Sequence, residues 1–131
     1  MTSTVSVSVM NPCATPAGAY ICTLFSLESS APNHVPYDVL MDIRPDSPTF
    51  GKWFGAELSG DNNVQMYAPA GVAHGFITLT DTVEVTYLVS QAYAPGQEGG
   101  IRYNDPAFNV VWPTAVTVIA PKDETWPGFQ R

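Results

Sequence analysis

Val64-Gln65-Met66-Tyr67-Ala68-Pro69-Ala70-Gly71-Val72-Ala73-His74-Gly75-Phe76 is the stretch that decides the fold. A β-branched and aromatic run, Val64, Met66 and Tyr67, halts at Ala68-Pro69-Ala70-Gly71. Proline presets φ there and glycine accepts a positive φ, so a tight turn is predicted. A new strand then begins with His74 at its mouth, which sets an imidazole just inside a sheet, where a pocket can use it.

The flanks repeat this pattern. Tyr37 to Arg44 alternates cleanly, Pro45 to Pro48 form a loop, and Gly51 to Leu58 make the next strand before a turn at Ser59-Gly60-Asp61-Asn62-Asn63. Further strands are predicted at Gln65 to Tyr67, Gly75 to Thr80, Val83 to Ser90 and Ala115 to Ile119, with a loop from Ala92 to Gly100. The chain has 12 Pro and 10 Gly, and no window carries apolar residues at helical spacing over three turns. Short strands, Gly/Pro turns and no crossover helices predict an all-β jelly roll or related barrel. At 131 residues one domain suffices, and no internal repeat divides it.

Charge narrows the partners. Twelve acids against five bases give a net charge of −7, which argues against nucleic acid, because phosphate binding relies on clustered Lys and Arg. No apolar stretch reaches the roughly 18 residues of a membrane span, and no basic-then-apolar leader opens the chain. A cytoplasmic protein with no membrane partner is expected, and Cys13 and Cys22 are then expected as free thiols.

Residues 1–43 contain no Lys or Arg, and Glu28, Asp38 and Asp42 are their only charges. An average soluble segment of that length carries about eleven. Val5, Val7 and Val9 alternate with Ser, and Tyr20 to Leu27 is aromatic and β-branched. Two edge strands fit this atypical segment, 1–36, and so does a Ser/Thr/Ala/Pro stretch that packs poorly.

From residue 37 onward a string of motifs accumulates: Asp-Val-Leu-Met-Asp-Ile-Arg (38–44), Ser-Pro-Thr-Phe-Gly-Lys-Trp (47–53), Ala-Pro-Ala-Gly-Val-Ala-His-Gly-Phe (68–76) and Tyr-Ala-Pro-Gly-Gln-Glu-Gly-Gly-Ile-Arg-Tyr-Asn-Asp-Pro (93–106). Trp-Pro (112–113) and Lys-Asp-Glu-Thr-Trp-Pro (122–127) complete it. In order and spacing residues 37–131 resemble the dTDP-4-dehydrorhamnose 3,5-epimerases, metal-independent cupins of deoxysugar biosynthesis. The resemblance implies a dimeric cupin jelly roll that acts on dTDP-4-keto-6-deoxyglucose and inverts the carbons flanking its ketone. Such chemistry requires a base, a stabiliser for the enolate, and an acid on the opposite face.

The resemblance also implies roles for residues. Tyr93 matches the acid, and a phenol of pKa about 10 stays protonated at neutral pH. Asp123 matches the carboxylate that pairs with the family's basic histidine, fixing its tautomer and raising its basicity. His74 and Tyr87, thirteen residues apart on strands expected to be adjacent, match positions facing the sugar and its ketone, with His74 a donor to the developing oxyanion. Glu98 matches a loop acid of the binding site. Taken without the motifs, Tyr93 closes a loop, Asp123 is an exposed acid, His74 is a core histidine and Glu98 a solvated loop acid.

One part of the pattern breaks. The family's base lies in an Arg-Gly-Leu-His stretch upstream of the segment matching Pro36-Tyr37-Asp38, whereas residues 14–35 contain no Arg or Lys and only His34. Residues 1–36 then read as not descended from the family's N-terminal region. A catalytically silent cupin that binds a nucleotide sugar or a partner protein is the competing function. Asn104-Asp105-Pro106 reads as a structural turn, and Trp53, Trp112 and Trp126 as packing. With His34 and His74 in unrelated contexts, neither a metal nor another cofactor is expected.

Overall fold

The structure, a computed structural model, describes residues 4–10, 22–25, 35–83, 85–89 and 98–130; for 4–10, 22–25, 86–89 and 98 the description covers the backbone. Nine strands and one short helix follow in chain order among these residues. They are β1 (Thr4–Met10), β2 (Cys22–Phe25), β3 (Pro36–Asp42), β4 (Trp53–Glu57), β5 (Gln65–Ala68), β6 (Val72–Thr78), β7 (Thr86–Val89), β8 (Glu98–Gly99), β9 (Val118–Ile119) and α1 (Pro121–Glu124). One sheet runs β4-β3-β6-β1-β8 with β9 also beside β1, and a three-stranded sheet runs β5-β2-β7. This is the expected all-β cupin jelly roll.

Alternation explains the larger sheet. On β6, Ala73, Gly75 and Ile77 are buried, and they face Met41, Val39 and Tyr37 of β3 in register. Val7 and Val5 of β1 extend the same rows opposite Gly75 and Ile77. The C-terminal segment lies over this face, where Ile101 and Phe108 join Val39, Met41, Ala73 and Ile77 in the main core. Phe129 meets the Phe108 ring at 5.0 Å and the Phe50 ring at 6.0 Å. Each such large side chain removed from water contributes about 1.5–3 kcal/mol, so this layer supplies much of the fold's stability.

β1 and β2 are interior strands, not the edge strands expected: β1 lies between β6 on one side and β8 and β9 on the other, and β2 lies between β5 and β7. The absence of charge from Thr4–Met10 and Cys22–Phe25 suits this position, because a strand with neighbours on both sides has little room for solvated charge. The other strands fall within a few residues of expectation. β6 begins at Val72 rather than Gly75, since the Pro69–Gly71 turn hands the chain straight back into a ladder. The four-residue α1 is too short to leave a periodic signal. Among the described residues no helix is long and apolar enough to cross a membrane.

Candidate functional site

The turn that carries the chain from β5 in one sheet to β6 in the other is built as its sequence requires. Gly71 takes φ +80°, and the Val72 amide donates to the Pro69 carbonyl at 3.1 Å. Arg44 packs over it so closely that a Cβ at residue 71 would stand 2.7 Å from Arg44 Cγ. Arg44 is itself held by Asp42, whose carboxylate accepts from Arg44 Nη2 at 2.7 Å, Arg44 Nε at 2.9 Å, Ser47 Oγ at 2.6 Å and Thr49 Oγ1 at 2.6 Å. The Arg44 guanidinium, with help from the two hydroxyls, holds the Asp42 carboxyl far below the usual carboxylate range despite its burial, and Asp42 raises Arg44 in turn. A surface groove runs along Arg44 to Thr49, but Asp42 already engages its polar groups.

The chemistry lies on the opposite side of β3 and β6 from the main core. Cross-strand register sets Phe54, Leu40, His74 and Ser8 in one row and Ala56, Asp38, Phe76 and Ser6 in the next. Asp38 and His74 are therefore diagonal neighbours on one face, where long side chains reach each other. His74 Nε2 stands 2.6 Å from Asp38 Oδ1, with the Asp38 side chain 1% exposed and that of His74 20%. The Phe76 ring stacks beside the imidazole at 6.2 Å.

The approach is close without being a directional hydrogen bond. Nε2 and both Asp38 oxygens are buried with no aligned partner. The contact is thus a close approach of imidazole and carboxylate. Buried carboxylates are ordinarily saturated, so one beside an imidazole without an aligned partner is a candidate functional site.

Asp38 was not singled out from the sequence, although a signal was present. Aspartate is disfavoured in the middle of a strand, and Asp38 interrupts Tyr37-Asp-Val-Leu-Met at an inward position. His74 lies inside β6 as expected, and the carboxylate beside it is that of Asp38. Asp123 is not an exposed acid: it lies on α1 and is buried at 4% exposure. Tyr87 stands on β7 in the three-stranded sheet, so it is not on a strand adjacent to β6; the segment after Thr78 turns the chain from one sheet into the other. Its backbone position lies opposite Leu24, which in turn pairs with the buried Met66. Glu98 opens β8 opposite Met10. Tyr93, His34 and Cys13 lie outside the described residues, and Cys22 begins β2.

Asp105 is the structural turn residue that its sequence suggests, with both oxygens accepting backbone amides, and Trp53 and Trp112 pack on the core. No group of three or more His, Cys, Asp or Glu able to hold a metal occurs among the described residues.

Comparison with known proteins agrees with this architecture. The family profile described as dTDP-4-dehydrorhamnose 3,5-epimerase matches residues 35–131. A protein of that name from Sinorhizobium fredii is 42% identical over 94 residues, which are 71% of this chain and 48% of the relative. The chain spans about half the length of the curated relatives it matches. The solved structure of the Elizabethkingia anophelis dTDP-4-dehydrorhamnose 3,5-epimerase superposes with a TM-score of 0.80 at 29% identity, covering 96% of this chain and 66% of that one. The Legionella pneumophila dTDP-6-deoxy-D-glucose-3,5-epimerase, solved in complex with dTDP-4-keto-L-rhamnose, gives 0.67 at 36% identity, covering 80% and 53%.

Proposed function

Because the chain belongs to the dTDP-4-dehydrorhamnose 3,5-epimerase family, we propose that its Asp38–His74 face receives a dTDP-linked 4-keto-6-deoxy sugar and promotes proton exchange at the carbons flanking the ketone. The observation that carries this reading is the imidazole held 2.6 Å from a fully buried carboxylate. With Nε2 turned to Asp38, Nδ1 is the ring nitrogen left to meet a ligand. An imidazole N–H beside a ketone is a donor to the oxygen on which enolate charge develops.

In this reading the other residues take their places around the polarised ketone. Tyr93 returns a proton to the enolate carbon, Asp123 orients the proton-transfer machinery, and Tyr87 and Glu98 contact the sugar. Two copies of the chain form the working unit. Residues 14–35 carry no imidazole at the position of the family's base, so turnover is expected to run about 10²- to 10⁴-fold below that of a member possessing one.

The test is incubation with dTDP-4-keto-6-deoxyglucose in D₂O while the ring protons beside the ketone are followed by NMR. Exchange above the uncatalysed background is expected, with His74→Asn returning it to background. The missing base favours a second reading, a silent nucleotide-sugar-binding cupin. Tight binding with no exchange at any enzyme concentration would establish that reading instead.

A further inference from the structure

Gly100 and Trp126 meet at one point of the fold from two directions. Gly100 directly follows β8, which is paired to the end of β1 through Val9–Gly99 and Met10–Glu98. Trp126 follows α1, the helix that carries buried Asp123 and lies against β1. α1 itself continues from β9, which runs parallel to β1 with Thr4 opposite Val118 and Val5 opposite Ile119.

The indole of Trp126 is seated on the Gly100 backbone. A Cβ at residue 100 would overlap Nε1, Cε2 and Cδ2 of the ring, so glycine is demanded here by the contact and not by a positive φ. The seat leaves Nε1 buried with no hydrogen-bond partner. A buried donor left unpaired works against stability, and a phenylalanine or leucine in the same place would not incur it. Before the indole α1 closes on its own first turn, and beyond it the chain is pinned to Asp105. The Asp123 amide donates to the Ala120 carbonyl at 2.9 Å, and the Phe129 amide to Asp105 Oδ2 at 2.8 Å. Lys122 Nζ also sits 5.8 Å from the indole centroid, on the residue preceding Asp123.

We propose that Trp126, through its seat on Gly100, is the positioning residue for the Asp123 carboxylate, fixing α1 against the β1–β8 end of the sheet. The inference rests on the reading of Asp123 as part of the proton-transfer site. Acid–base chemistry tolerates little displacement, and loss of an orienting contact behind a functional group typically costs about 10- to 100-fold in rate.

The experiment measures solvent deuterium incorporation into the keto-sugar, together with dTDP-sugar affinity by calorimetry, for the full chain and its variants. Trp126→Ala and Gly100→Ala should each slow exchange about 10- to 100-fold. Affinity should stay within about twofold, because the contact orients a reacting group and not the bound nucleotide. Trp126→Phe should retain the wild-type rate, because it keeps a ring in the seat. In an Asp123→Asn background, Trp126→Ala should cause no further loss, since the two act as one unit. An undiminished loss in that background, or a Trp126→Ala variant with lowered thermal stability and unaltered exchange, would overturn the proposal. Should the wild-type chain show no exchange at all, the epimerase reading fails, and amide hydrogen exchange then decides the positioning claim alone. Selective deprotection of the Asp123 amide in Trp126→Ala supports it, and unchanged protection refutes it.

Discussion

The Asp105 carboxylate reaches 24 residues along the chain to Phe129, taking that backbone amide on Oδ2 at 2.8 Å while Oδ1 takes the Ala107 amide at 2.9 Å. One buried side chain thereby fixes where the C-terminal segment begins to cover the core and where it ends.

Replacing Asp105 with Ala strands two backbone donors. Each unsatisfied buried group costs roughly 1–3 kcal/mol, so a loss of about 2–6 kcal/mol is expected, read as a fall in the urea midpoint with an unchanged slope. A loss below about 1 kcal/mol would mean that water replaces the carboxylate at both amides.

Asp38 should respond in the opposite sense. Its oxygens have no aligned partner, so Asp38→Asn removes a buried charge at little structural cost, and the thermal midpoint should hold or rise. Proton exchange on the keto-sugar should nonetheless drop about 10- to 100-fold, because the imidazole loses the carboxylate that orients it. Lower stability with intact exchange would make the pair purely structural.

Asp42 gives the pH dependence. Its folded pKa is depressed below the unfolded value of about 3.9, so its stabilisation is present above that value and is lost as the pH falls through and below it. Thermal midpoints compared at pH 7, 5, 4 and 3 should therefore fall more steeply for the wild type than for Asp42→Asn. Parallel curves would show that the Asp42–Arg44 pair, whose arginine side chain is 41% exposed, is dominated by solvent.

Gly71→Ala tests the turn before His74. Forcing a residue with a Cβ to φ +80° costs about 1–2 kcal/mol, and the contact with Arg44 Cγ adds to it. An Arg44→Ala background should recover the steric part alone, which a double-mutant cycle on thermal stability will separate.

The strands after residue 35 were legible because each alternates and each ends at a Gly, Pro, Asn or Asp that a turn requires. Asn63, at φ 52°, closes the turn expected at Ser59 to Asn63. His74 was legible for the same reason. Asp38 was not, because its meaning depends on which residue of another strand stands diagonally across from it, and pairing register is not written in a single strand. The interior placement of β1 was obscured by the feature that suits it, its lack of charge. Trp126 read as ordinary packing because its partner is a glycine 26 positions away, and a residue without a side chain announces no contact.

The central position of β1 also governs the order in which this chain folds. Among the described residues Thr4–Met10 finds its partners at residues 72–78, 98–99 and 118–119, so it emerges from the ribosome long before these strands exist. Such distant closures make assembly slow, with an unpaired valine-rich segment exposed throughout synthesis. Production of soluble protein should therefore depend on chaperone supply and on low temperature more than the stability of the finished sheet would suggest.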